Sequence, residues 1–423
     1  MILLLALALA EDHAPPALEA LVVAPARIPV GPPRTVRTAE GDDLERVIQD
    51  LPAGSTLLLG RGVYRGPVRI DRPLTVLAEV GAVLEGSGTG TVLSIVAADV
   101  TVRGLAVRGG GADATKGDAG VLVAGDRVRL EGVDVSDALT GIDLREADDG
   151  AVVDCTVHGR PDRALSQRGD GLRLWESDGN RVERNTLIGV RDLVVWYSEQ
   201  NHLEGNRVSR SRYGAHFMHA SHNVVQGNHF ENDVVGVFVM YSDDLRLVDN
   251  LVVGANGAAG MGFGFKESDD LLVTGNRIFG NTTGVYLDGT PHRLGGSAAF
   301  SNNTLAYNHT GLRLHGGQAG AAFQTNRFHE NATQVSVDGR ADATGTHFER
   351  NFWSDYTGYD LDDDDVGDLP YAPRSFSGAL TQRRPALAFF SHTAAAGLLD
   401  LLAEAFPMFA PRPILVDARP VLS

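Results

Sequence analysis

A chain of 423 residues with 50 Gly, 22% charged and only 7% aromatic residues exceeds one ordinary hydrophobic core and suits stacked short strands better than helices. The formal net charge of -17, with no useful Lys/Arg cluster before Arg383 and Arg384, argues against a nucleic-acid partner, which needs a basic stripe.

The first ten residues, MILLLALALA, are too short an apolar run to span a bilayer, and Ala8 and Ala10 form an A-x-A cleavage site. Residues 1–10 therefore read as a signal peptide, with the mature chain in the periplasm or outside the cell. Residues 11–36 are Pro/Ala-rich and read as a linker. Residues 37–80 read as a cap and first strands, with Leu44, Val47, Ile48 and Leu51 on one face of a short helix over the first coil.

Residues 81–355 carry the repeat. Asn185, Asn206, Asn228, Asn250, Asn276, Asn303, Asn326 and Asn351 each open a short apolar run, and Gly104, Gly132 and Asp154 occupy the same place in weaker copies. The period holds two or three strand-sized pieces and no helix-sized piece, which predicts a right-handed parallel β-helix of ten or so coils, an all-β solenoid. Coils stack about 4.8 Å apart, so the Asn side chains can form an amide ladder that satisfies backbone at the bend. The single Cys155 cannot form an internal disulfide and reads as a small buried apolar group.

Aligning the second strand of five coils gives GLRLWES, DLVVWYS, GAHFMHAS, GVFVMYS and GMGFGFKES. Alternation sorts Leu172/Leu174, Leu193/Val195, Ala215/Phe217, Val237/Val239 and Met261/Phe263 inward. Arg173/Trp175, Val194/Trp196, His216/Met218, Phe238/Met240 and Gly262/Gly264 fall outward. This is an apolar stripe on an outer wall: either an exposed surface or a second core under a loop or the C-terminal segment. His216, Met218, His219, His222 and Met240 bring thioether and imidazole together, a donor set suited to Cu(I), bound in transit, more than to zinc or iron. Trp175, Trp196 and Phe238 beside them are candidates for a partner surface.

Asp148-Asp149, Asp243-Asp244 and Asp269-Asp270 are the carboxylate pairs to test for enzyme chemistry, but they fall at turns with no facing base. A polysaccharide-active lyase, epimerase or hydrolase is the second reading, and a structural surface β-helix the third. Residues 356–423 read as an acidic loop and a C-terminal arm. In the loop, Asp360, Asp362, Asp364 and Asp368 take positions 1, 3, 5 and 9 of a calcium loop, although Asp365 replaces the turn Gly and Tyr371 the terminal Glu.

The strings NFWSDYTGYDLDDDDVGDLPYAP from Asn351, RYGAHFMH from Arg212 and GVFVMYS from Gly236 resemble the NosD family of periplasmic maturation proteins of nitrous oxide reductase. The resemblance runs over nearly the whole mature chain. It implies a non-catalytic periplasmic subunit that docks on the permease and ATPase of an ABC transporter and meets the membrane only there. It further implies copper received from a lipoprotein chaperone and help in assembling the reductase's copper-sulfur centre. In the arm, Pro385 to Pro407 predicts an amphipathic helix, with Leu398, Leu401 and Leu402 on the face that either docks on the transporter or closes the last coil.

Overall fold

The computed structural model describes residues 28–315, 319–338, 343, 345–373, 393, 398, 402 and 413–422. The predicted signal peptide and most of the predicted arm, Leu401 included, lie outside the described residues. The chain divides into two compact units, Met1–His216 and Phe217–Ser423.

Among the described residues of the first unit every strand pairing is parallel and joins one coil to the next, so the architecture is a β-solenoid with three strands per coil. One ladder starts with Thr35–Thr38 against Ser55–Leu59 and proceeds to His202–Glu204. A second starts at Gly62–Arg65 and a third at Val68–Ile70. The first strand precedes the helix and begins two residues inside the stretch read as linker: TVRT pairs residue for residue with Thr56 to Leu59. The helix Leu44–Gln49 follows it and is only six residues long. Asp43 accepts from the Arg46 N–H as its N-cap, and Leu44 and Ile48 are buried while Val47 is half-buried.

The second unit repeats the scheme, with ladders from Val224–Gln226, His229–Glu231 and Val235–Met240. Among the described residues, eight strands of the first ladder type lie in the first unit and six in the second, more than the ten or so coils expected. Inside the second unit, Phe263, Phe265, Phe300, Phe323 and Phe348 pack in sequence, with Phe300 and Phe323 stacked at 4.5 Å.

The Asn ladder is present and runs coil to coil. Asn303 Oδ1 accepts from both the backbone N–H and Nδ2 of Asn276, and Asn303 Nδ2 donates to Val273 O and Asn326 Oδ1. A parallel ladder joins Asn281, Asn308 and Asn331. In the first unit Asn206 accepts from Asn185, and Asn185 accepts from the N–H of Cys155. The ladder position therefore passes through Cys155, not Asp154. Gly104, Gly132 and Asp154 sit one residue earlier, with Arg184 and Gly205, in the left-handed conformation that turns the chain. Sequence alignment placed them one residue late because Gly and Asn both mark turns, for different reasons: one for a positive φ, the other for its amide.

The last coil is closed from far along the sequence. Ile414 N–H donates to Pro373 O, Phe348 bridges Asp417, and Val421 bridges both Phe352 and Val366. Leu415 and Asp417 are buried there. Of the region predicted as an arm, residues 413–422 thus lie against the last coil. Leu398 and Leu402 are 57% and 44% exposed.

Candidate functional site

The outward row of the third ladder carries the candidate residues. In the first unit the register is as aligned from sequence: Leu172 pairs with Leu193, Arg173 with Val194 and Trp175 with Trp196. In the second unit it is two residues later than expected, with Val237 opposite Phe263, Phe238 opposite Gly264 and Met240 opposite Lys266. The slip preserves the face because strand side chains alternate with period two. It replaces glycine by lysine beside Met240.

The expectation of an exposed stripe is overturned. Trp196, His216, Met218, Phe238 and Met240 are all at most 6% exposed, and Trp175 is half-buried. As candidates for a partner surface, Trp196 and Phe238 therefore offer almost no free area. The rings tile one another: Trp175 lies edge-on to Trp196 at 5.9 Å, and Trp196 lies edge-on to His216 at 5.3 Å. Gly264 leaves room for Phe238, since a Cβ there would come within 2.5 Å of the Phe238 ring.

His216 is fully inside this packing, with the Tyr213 ring centroid at 4.8 Å. Burial, helped by the Arg212 charge, pulls its pKa down to about 3, so the imidazole is neutral at ordinary pH. Met218 ends the strand Tyr213–Met218. The His219 N–H donates to Met240 O, the same bond that Glu176 makes to Trp196 O where Trp175 and Trp196 are paired. Met218 and Met240 are therefore ladder neighbours. His219 and His222 lie beyond the strand end in left-handed conformations and are exposed; His219 stacks on Tyr241 at 5.2 Å. The five predicted copper residues thus separate into a buried set and two histidines at the turn.

A buried charge cluster on the same ladder of the first unit was missed from sequence. Asp143 accepts from Arg145 Nε at 2.7 Å and from Arg173 Nε at 2.8 Å. Asp170 receives Arg191, and Asp192 receives Arg212. Burial alone would raise the Asp143 pKa, but the Arg173 and Arg145 guanidiniums outweigh it and hold the carboxyl below its usual range. The available signal was register: GIDLR and GLRLW align Asp143 with Arg173.

The three acidic pairs act as turn supports. Asp149, Asp244 and Asp270 take left-handed conformations. Asp148 accepts from Asp178 N–H, Asp243 from Asp269 N–H, and Asp269 from His292 and Arg293 N–H. In the acidic loop, Asp360, Asp362 and Asp364 each bring a carboxylate oxygen within 4.8 Å of the others. Asp365 adopts φ 61°, the conformation for which Gly is preferred at that place. Asp368 accepts from Leu361 N–H at 2.7 Å. Tyr371 faces away from a ligand role: its ring stacks on Trp353 at 4.4 Å and its hydroxyl donates to Asp355.

Coils stacked through amide ladders define a parallel β-solenoid protein, and in its second unit the Met218 and Met240 thioethers lie on neighbouring strands. Residues 153–358 match the family model described as periplasmic copper-binding protein (NosD). The chain is NosD-like. It is 27% identical over 413 residues to the probable ABC transporter binding protein NosD of Pseudomonas aeruginosa, covering 86% of this chain and 87% of that one. It is also 27% identical over 396 residues to the protein of that name from Stutzerimonas stutzeri, covering 86% of each. Among solved structures, an exopolygalacturonase from Thermotoga maritima is similar at a TM-score of 0.46 and 11% identity over 78% of this chain and 95% of that chain, a level that carries no conclusion about chemistry.

Proposed function

We infer that this protein is a non-catalytic copper-handling accessory factor of the periplasm that works with an ABC transporter in the maturation of nitrous oxide reductase. The observation that carries the reading is the pairing of Met218 and Met240 on neighbouring strands of a buried wall. Two neutral thioethers suit Cu(I) and, lacking a thiolate, hold it less tightly than a thiolate cage would. That is the behaviour needed of a factor that passes metal on. The family description as periplasmic and copper-binding, and the relatives' name as transporter binding proteins, support the same reading. The copper chaperone and the reductase as partners rest on the sequence resemblance. The polysaccharide-enzyme reading gains no support from the carboxylate pairs, whose oxygens accept turn backbone N–H groups.

The double change Met218→Leu, Met240→Leu keeps side-chain volume and removes both sulfurs. It is expected to leave the circular dichroism unchanged while abolishing Cu(I) retention in a competition titration with a chromogenic chelator. Undiminished retention would refute the site. Purification of the tagged protein from its own membranes should recover a permease and an ATPase, and their absence would refute the transporter role.

A further inference from the structure

Away from the thioether wall, the turns that follow the second ladder of the second unit form an open groove of ≈ 590 Å³. It spans four successive coils, from Asn256 to Ala332. Buried Asn281, Asn308 and Asn331 line it, and their amides are committed to one another. Tyr307 stands at the left-handed turn place, φ 57°, that Gly254 and Gly280 hold in the two coils before it. Its ring is 63% exposed and yet is held in place. It lies edge-on to His329 at 5.5 Å, and His329 packs against Phe352, over which Arg327 lies at 4.3 Å. Gly280 keeps the groove open, since a Cβ there would meet nothing within 4 Å.

The lining narrows the class of ligand. Among the described residues that line the groove none is Lys or Arg, which disfavours phosphates and other anions. The one carboxylate, Glu330, and the one imidazole, His309, are too few to cage a cation. An added peptide strand would need free backbone, but the N–H groups of Gly280, Thr282, Tyr307, His309 and Ala332 all donate from coil to coil. What the groove does present is one exposed aromatic face beside the polar side chains of Asn256, Thr282, His309 and Glu330. A sugar ring matches that pair of surfaces, with C–H bonds to lay on the tyrosine and hydroxyls to donate to the Glu330 carboxylate. The volume suits a short chain of such rings. We propose that this groove binds a neutral oligosaccharide, stacked on Tyr307 and hydrogen-bonded by Glu330. With a single carboxylate in the groove the outcome is binding and not cleavage, which takes two. The proposal is independent of the copper reading.

The test is ligand-observed NMR and calorimetry on the full chain with three tetrasaccharides: β-1,4-linked N-acetylglucosamine, β-1,4-linked glucose, and oligogalacturonate as the anionic control. At least one neutral tetramer is expected to bind, with its ring C–H protons receiving saturation from the protein. Tyr307→Ala should weaken that binding about tenfold, whereas Tyr307→Phe keeps the ring and should keep the affinity. Because Tyr307 is exposed, both variants should melt at the wild-type temperature. Glu330→Ala should weaken the neutral tetramer and relieve the exclusion of the anionic one. Binding of the N-acetylglucosamine tetramer alone supports the proposal with an amino-sugar glycan as the source, and binding of both neutral tetramers supports it for neutral glycans at large. No binding of either at about 10 mM, equal affinity in wild type and a folded Tyr307→Ala, or tighter binding of oligogalacturonate than of both neutral tetramers overturns it.

Discussion

Asp417 terminates the amide ladder begun by residues far behind it: its Oδ2 accepts both the backbone N–H and the Nδ2 of Asn351, each at 3.0 Å and 66 residues away in sequence. The same oxygen accepts Trp353 Nε1 at 3.1 Å. A carboxylate, which only accepts, is suited to the end of a ladder in which every amide must also donate onward.

Replacing Asp417 by Ala leaves three buried donors without an acceptor. The expected cost is about 2–4 kcal/mol, since each unsatisfied buried group costs on the order of 1–3 kcal/mol and relaxation recovers part. Chemical denaturation followed by the fluorescence of Trp353 measures it. Because residues 413–422 are stitched to the last coil, deletion of 386–423 should destabilise for this reason alone. Deletion of 386–412 with residues 413–422 kept tests transporter docking without removing the closure.

Within the ladder, Asn303→Ala removes two bonds accepted and two donated in a fully buried place. We expect a loss of at least about 3 kcal/mol, more than for an exposed turn residue such as Asn256, whose Nδ2 donates only to Gly254 O. Equal midpoints for the two variants in urea would contradict the ladder's role.

Cys155 should be chemically silent in the folded protein. Burial pushes its thiol pKa up to about 11, so at pH 8 only about one molecule in a thousand carries the reactive thiolate. Labelling with a disulfide reagent at pH 8 is expected to follow global unfolding, and a fast native-state reaction would show that the first unit opens locally.

Stability of the first unit should fall with acid in two stages. His216 titrates near 6.5 when unfolded and near 3 when folded; between these values the unfolded chain binds the proton and the folded chain does not. Its stabilising contribution is therefore complete above about pH 6.5 and is lost progressively toward pH 3. Asp143, held below its ordinary 3.8 by Arg173 and Arg145, contributes fully above that value and fades as pH falls further. His216→Gln should flatten the first stage in pH-dependent thermal melts. Asp143→Ala, which strands two buried guanidiniums, should cost about 3–5 kcal/mol at pH 7.

Much of the fold could be read from the chain because its determinants are local. Alternation separated Leu172 and Leu174 from Arg173 and Trp175 without any knowledge of neighbours, and recurrent Asn announced the ladder. The sequence also placed Met218 and Met240 on one wall, since each lies at the same step of its own repeat. The alignment failed at Gly260 to Lys266, where GMGFGFK alternates so evenly that a shift of two residues satisfies the pattern equally.

The amino-acid sequence by itself determined the repeat, the inward and outward faces and the soft-donor character of the wall, because a strand's side-chain period is fixed by its own backbone. Only the tertiary structure decided that the wall is buried, that Lys266 and not glycine stands beside Met240, and that Asp417 completes the ladder. Those outcomes depend on pairings between segments 26 to 66 residues apart, and a contact across such a loop leaves no trace in the spacing of either partner.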